Sequence, residues 1–453
     1  MRLLTVSGLV PGLLVMVLFA AVRAEVPPHT VAPSLIFTST PHYDVTAWLR
    51  GGERFPQGAR LMLRSGSGSR AVLPQFFASA DASVSFDGTH VLFAGKKSVG
   101  DHWQVWELEF SKPAEEPKQL TSCPDDCVRP LYLPDNQIVY SRKVEGTYQV
   151  EAAPLDGGQV LQLTYIPGNA LPEDVLHDGR VLFQSSYPLG EGTTSELYTV
   201  YPDGSGVESY RCDHGASRYS GRQMASSDIV FVSNLGLARF TSPMAHEVPI
   251  EAPKGEFAGD IVQNADDVWI TSWRPDSRQH YSLREWNRRT GGFHAVVAES
   301  DADMVQPQVV APHPIPNRFP SALHDWDGAN VLCLKAYTSK LKIVSGSIAS
   351  VQVYTQRDKK TVLLGQAHVE PDGSFFLHVP SDQPLKIELL DPAGNTVQRE
   401  HGWFWMRKGE QRVCVGCHAG PERAPENAVP QVLVKSTDPA DMTRPVANET
   451  GGR

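Results

Sequence analysis

At 453 residues the chain is long for a single domain, and two are expected. It carries 51 acidic against 41 basic residues, a formal charge of -10, which excludes the basic face that nucleic acid or an anionic membrane surface requires. Partners are expected instead among proteins with basic patches, or among small molecules.

In chain order, Arg2 precedes an apolar run from Leu9 to Ala21, and Val22-Arg23-Ala24 supplies a small-residue cleavage signal. Residues 1–24 therefore read as a secretory signal peptide, with an uncleaved N-terminal anchor as the alternative. The run is short for a membrane span and no later stretch approaches it. The expected mature chain starts near Glu25, has no integral membrane segment after cleavage, and works in the periplasm or otherwise outside the cytoplasm.

Residues 25–311 read as an all-β region. Leu35-Ile36-Phe37, Val91-Leu92-Phe93, Ile138-Val139-Tyr140, Val181-Leu182-Phe183, Ile229-Val230-Phe231 and Val268-Trp269-Ile270 are short apolar cores. From Val91 onward they recur every 39 to 48 residues, the period of a four-stranded propeller blade. Asp87-Gly88, Asp135-Asn136, Asp178-Gly179 and Asp266-Asp267 precede four of them, and such residues tolerate the left-handed backbone of a tight reversal. Together with Ser85-Phe86-Asp87-Gly88-Thr89, Gln119-Leu120-Thr121 and Gln162-Leu163-Thr164, the pattern resembles the TolB-type repeat. That resemblance implies a β-propeller of six blades, with seven as the alternative; a sandwich explains the period less well. The propeller histidines show no metal-ligand spacing, and Trp103, Trp106 and Trp273 read as blade packing. Cys123 and Cys127 flank the turn-forming Pro124-Asp125-Asp126 and are candidates for a small-loop disulfide. Cys212 and Cys333 stand alone in sequence and read as buried apolar residues.

Residues 312–320 carry too many prolines for a strand interior or a helix and should run extended as a linker. Residues 321–435 return to strand-like runs at Val331, Ser350, Thr361, Ser374 and Leu385, separated by turns at Pro371-Asp372-Gly373 and Pro392-Ala393-Gly394-Asn395. They read as a small β-sandwich that leads into Trp403-Phe404-Trp405. Residues 436–453 lack apolar periodicity and are expected to form a flexible tail.

Near the end stands Cys414-Val415-Gly416-Cys417-His418, the spacing of a c-type haem attachment site. Two thiols add to the haem vinyl groups and the adjacent imidazole reaches the iron. A zinc site would want further Cys or His after His418, and the sequence contains none there. A thioredoxin-like dithiol would sit in an α/β repeat, and none is visible. One covalent haem c is therefore expected on Cys414, Cys417 and His418. His401 is the first candidate for the distal iron ligand, ahead of His368 and His378, with Met406 and Met442 as thioether options. Trp403 and Trp405 are candidates to cover the porphyrin, with sandwich core as the other reading. Arg407, Lys408, Arg412 and Arg423 are candidates to pair with its propionates.

The run Val369-Glu370-Pro371-Asp372-Gly373-Ser374-Phe375, followed by Trp403, Gly409-Glu410-Gln411-Arg412 and the haem motif, resembles the C-terminal part of proteins related to the hydrazine synthase alpha subunit. The resemblance covers roughly the last quarter of the chain. It implies a c-type haem beside a propeller in an extracytoplasmic protein. The family's synthase has a further N-terminal haem domain that houses the active site, and no counterpart is expected here, so hydrazine synthesis is not carried over. The favoured expectation is a monohaem cytochrome that carries electrons, with the propeller as docking platform for a redox partner protein. The alternatives are a haem redox enzyme, or a propeller binding module with a structural or sensory haem.

Overall fold

The computed structural model describes residues 33–443 except 67, 113–114, 190–191, 212–216, 299, 340–341 and 417–426. The signal peptide, Cys212, Cys417, His418, Arg423 and residues 444–453 thus lie outside the described residues.

Six four-stranded antiparallel sheets follow one another as blades. Blade 2 spans Ala78–Val84, His90–Lys96, Gln104–Glu109 and Lys118–Gln119, and the chain repeats that pattern through blade 6, which starts at Glu256–Ala265. Blade 1 is closed by the strand that follows blade 6: Asp303–Val309 pairs with Leu35–Thr40 as its innermost strand. Joining the two ends of the ring in one sheet leaves no open blade edge in the circle.

Each of the six apolar cores falls on the second strand of its blade, counting outward from the axis. That strand is sandwiched between neighbouring blades on both faces, so it reads as a continuous apolar run rather than an alternating one. Val91, Leu92 and Phe93 are fully buried, as are Val181, Leu182 and Phe183. The repeated Gln-Leu-Thr triplets share one hydrogen-bond pattern. Thr121 Oγ1 accepts from Val105 N–H and donates to Gln104 Oε1, at 2.8 and 2.9 Å, and Thr164 does the same with Val150 and Gln149 at 2.9 and 2.9 Å.

The innermost strands all lose register near their midpoints. Such bulges re-aim a side chain out of the ladder. Asp81, Arg129, Ser220, Asp260 and Gln306 take left-handed φ there, and Glu173 sits at the blade 4 bulge. Apart from Ser220, these side chains meet across the axis. Arg129 pairs with Asp260 and Glu173, its N–H donates to Asp81, and Asp81 also holds Arg54 and Gln306.

The linker is extended and fastened across three blades. His313 N–H donates to Phe86 O and Asn317 N–H to His177 O, both 2.9 Å, Arg318 pairs with Asp135, and Phe319 stacks on Tyr201 at 3.6 Å. The Asp-Gly turns are where it lies. A Cβ on Gly179 would stand 2.3 Å from Asn317 O, so the left-handed glycine there also gives the linker room.

The following sandwich packs Gln411–Cys414, Ala329–Cys333, Phe375–Val379 and Ala440–Asp441 against Lys360–His368, Ser350–Arg357, Leu385–Leu390 and Thr396–Arg399. The flexible tail expected from residue 436 needs correction over its first part. Ala440–Asp441 adds to Phe375–Val379 as a parallel strand, and Met442 is 2% exposed in the sandwich core. Three ordered residues are too few to show a period, which is why composition alone pointed to a tail. Among the described residues no helix is long and apolar enough to cross a membrane.

Candidate functional site

The segment that opens the haem motif is a strand. Gln411–Cys414 runs parallel to Ala329–Cys333, with Cys414 opposite Cys333. Val415 and Gly416 then turn away over the loop after Ala329–Cys333. A Cβ on Gly416 would lie 2.2 Å from Thr338 O, so the tight passage there requires glycine.

Cys414, Val415 and Gly416 form one side of a cavity of about 440 Å³, within the range of small-molecule and cofactor sites. The sandwich contributes an apolar surface to it, including Val331, Phe375, Leu389, Trp403 and Phe404. The opposite wall comes from the propeller: Tyr198, Val207 and Glu208 of blade 4, and Pro243 and Met244 of blade 5. Val413 is 53% exposed on the haem-motif strand, an apolar side chain left uncovered beside the cavity.

Burial pushes the Cys414 thiol up, and Glu208, Glu400 and Glu410 add to that against the opposing pull of Arg412. The mostly apolar lining on this side of the motif fits an apolar group beside Cys414.

Two stretches hold the motif's flanks. Upstream, Gly402 to Arg412 crosses onto the propeller. Trp405 is fully buried, its Nε1–H donates to Gly204 O at 3.0 Å, and Tyr165 and Phe183 surround its ring. Arg407 pairs with Asp382 at 2.7 Å and donates to the Tyr165 hydroxyl. Arg412 binds Glu410 and Val207 O. Downstream, the short helix Gln431–Lys435 is tied to the Pro371-Asp372-Gly373 turn. Asp372 accepts from Gln431 N–H at 2.8 Å, Ser374 from Val432 N–H at 3.0 Å, and Lys435 pairs with Glu370. The turn that carries the family resemblance is thus an anchor for the chain emerging from the motif.

The structure separates the residues grouped by sequence. Trp403 lines the cavity, and the Lys386 ammonium lies 4.6 Å from its ring centre. Trp405 does not line it: an indole with an N–H to satisfy is drawn into the propeller, where Gly204 offers a carbonyl. His401 is exposed and does not line the cavity, although its neighbours Glu400 and Gly402 do. His368 is exposed on its strand, and the His378 ring is bonded to the Asn330 side chain at 2.8 Å. Met406 and Met442 are sandwich core. Arg407 and Lys408 are engaged by Asp382 and Asp327, and of the three described members of the basic group Arg412 reaches the cavity. Sequence reasoning missed Met244, which sits in an irregular segment with no periodic or motif signal. Far from this site, Cys123 and Cys127 form a disulfide with Cα atoms 6.4 Å apart.

A family model described as the hydrazine synthase alpha subunit middle domain matches residues 333–419, the stretch from the cavity strand through the motif. The hydrazine synthase subunit alpha of Kuenenia stuttgartiensis is 38% identical over 61 residues, which is 14% of this chain and 8% of that subunit. The solved hydrazine synthase of the same organism superposes with a TM-score of 0.76 over 89% of this chain and 71% of that one, at 17% identity, a likeness of fold. TolB from Acinetobacter baumannii aligns over 61% of this chain and 66% of its own, at 14% identity and a TM-score of 0.44.

Proposed function

We propose, from the premise that residues 333–419 relate this chain to the hydrazine synthase alpha subunit, that it is an extracytoplasmic monohaem c-type cytochrome. It carries electrons, and the propeller is the platform on which a redox partner docks. The observation that carries the reading is the cavity of about 440 Å³ built against Cys414, Val415 and Gly416. Cys414 and Cys417 would hold the haem by thioethers, each S–H adding across a vinyl C=C, and His418 would be the proximal ligand. Bound, the haem supplies a one-electron couple at its iron.

The chain's own residues do the rest. Trp403 and Phe404, with the apolar sandwich face, exclude water from one side of the cavity, and burial of this kind is a lever on reduction potential. Gly416 lets the motif turn tightly, and Trp405 and Arg407 fix the crossing that carries the motif to the propeller. The Cys123–Cys127 disulfide supports an oxidising compartment. The formal charge of -10 favours a basic partner.

The test is expression with a haem-ligation system, followed by a pyridine haemochrome assay on denatured protein. One covalent haem per chain is expected, and Cys414→Ala combined with Cys417→Ala should abolish it. Denatured wild-type protein without bound tetrapyrrole would remove the redox role. Reduction of the holoprotein by a basic redox protein should slow as salt rises, because the long-range attraction is screened over about 10 Å at 0.1 M ionic strength. A salt-independent rate would count against the docking role.

A further inference from the structure

We infer that the cleft between the turns of blades 5 and 6 is a docking site for an extended, proline-containing segment of a partner protein that carries a basic side chain. The model for such a contact lies within the molecule. In blades 2, 3 and 4 the second residue beyond the last ladder pair of the innermost strand is Phe86, Asp135 and His177. The linker meets that position in all three. His313 N–H donates to Phe86 O, Arg318 pairs with the Asp135 carboxylate at 2.8 Å, and Asn317 N–H donates to His177 O. One extended stretch is thus held by two backbone carbonyls and one acid from successive blades.

The same position in blades 5 and 6 is Ala225 and Asp267. Among the described residues, the hydrogen bonds, ion pair and ring contacts of the linker reach no further than blade 4, where Phe319 stacks on Tyr201. The blade 5 turn is nevertheless built like that of blade 4. Gln223 Oε1 accepts from His177 N–H at 2.6 Å, and Gln263 Oε1 accepts from Ala225 N–H at 2.9 Å. With its amide fixed in the same way, exposed Ala225 offers the counterpart of His177 O, and among the described residues that carbonyl accepts no hydrogen bond. Beside it opens a cleft of about 190 Å³, lined by Met224 and Trp269 and by Asp228, Asp266 and Asp267. Of the cations there, Arg239 is engaged by Asp228 at 2.7 Å and Arg288 lies over the Trp269 ring at 4.1 Å. Asp267 is 46% exposed, with Arg289 no nearer than 3.9 Å, so it can give a basic side chain what Asp135 gives Arg318. Proline in the partner segment would keep it extended before it binds, which lowers the entropy lost on docking. The site therefore continues, on the next two blades, an interface the chain already makes with itself.

The test uses the full chain and, as probe, a labelled synthetic peptide with the sequence of residues 312–320, Pro-His-Pro-Ile-Pro-Asn-Arg-Phe-Pro, followed by fluorescence anisotropy. In the intact protein the tethered linker already fills blades 2 to 4, so the free peptide is expected to bind saturably at blades 5 and 6. Asp267→Lys should weaken binding about five- to tenfold, because an exposed attraction becomes a repulsion. A peptide with Glu in place of its Arg should bind wild type equally poorly and recover on Asp267→Lys, a rescue that misfolding cannot produce. Ser226→Trp, at an exposed turn position, should fill the cleft and abolish saturation. Absence of saturable binding to wild type overturns the inference. So does binding that ignores Asp267→Lys and Ser226→Trp but weakens in Asp135→Lys, since the peptide would then be exchanging with the tethered linker. The inference needs no haem: a chain that binds the peptide but holds no covalent haem would remove the redox reading and leave this one standing.

Discussion

Arg129→Met is expected to destabilise the propeller by about 3–5 kcal/mol, because it strands buried carboxylates without a counter-charge. Arg129 is the hub of the axis: it pairs with Asp260 of blade 6 and Glu173 of blade 4, while its N–H reaches Asp81 of blade 2. Asp260 and Glu173 are respectively 1% and 0% exposed, so neither can turn to water when the guanidinium is lost. The two acids do not share Arg129 equally. Burial pushes both up, but Arg129 and Arg222 together hold Asp260 down to about 2. Glu173 has less help: burial outweighs Arg129, the charge on Asp260 adds to it, and its carboxyl is pushed up to about 7. One of its oxygens, Oε1, is buried without a hydrogen-bond partner.

The sign of the pH dependence follows. A carboxyl raised from its ordinary 4.5 to about 7 binds more protons in the folded than in the unfolded chain between those values. Its contribution to stability therefore falls as pH rises from 4.5 to about 7, and is flat above. Glu173→Gln keeps the shape and an acceptor for Arg129 but cannot ionise. It should be close to neutral at pH 4.5 and stabilising by on the order of 1–3 kcal/mol at pH 8. Denaturant midpoints of wild type, Arg129→Met and Glu173→Gln at the two pH values would decide it. A wild-type midpoint retained in Arg129→Met would mean that the axial ion pairs are solvated.

Which parts of this fold could be read in advance depended on what each strand faces. Second strands lie between blades and are apolar on both faces, so Val91-Leu92-Phe93 and its counterparts stand out as uninterrupted runs. Innermost strands face the axis with bulged charged residues, so Asp81, Arg129 and Asp260 look like wet positions although each is at most 6% exposed. The expectation at Cys414-Val415-Gly416-Cys417-His418 rests on a different signal, the spacing that a c-type haem site requires rather than burial, and Cys417 and His418 lie outside the described residues. The far side of the cavity had no such constraint on sequence. Met244 is brought there by the folding of blade 5, and no spacing to Cys414 encodes that approach. Trp403 and Trp405 looked equivalent in sequence, and only the propeller's Gly204 carbonyl distinguishes them.

That distinction sets up the second large effect. Trp405→Ala should cost about 3–5 kcal/mol, the usual penalty for emptying a fully buried aromatic site. Its position makes the loss specific. Tyr165, Phe183 and Gly204 all belong to the propeller, so the vacated volume lies where the crossing stretch from the sandwich is held. The crossing is also where Arg407 meets Tyr165 and Asp382, so loosening it should expose the segment between residues 400 and 410 to protease. Trp405→Phe retains most of the ring but drops the N–H to Gly204 O, and should cost about 1 kcal/mol. Trp403→Ala is the contrast. That ring is 8% exposed and lines the cavity, so its removal should alter the haem spectrum and potential more than protease resistance. The two effects exchanged between the tryptophans would place the wrong one in the anchor. If both variants were equally labile, the crossing would depend on the pair as a unit, because Trp403 and Trp405 pack in the same apolar cluster with Phe183 and Val200.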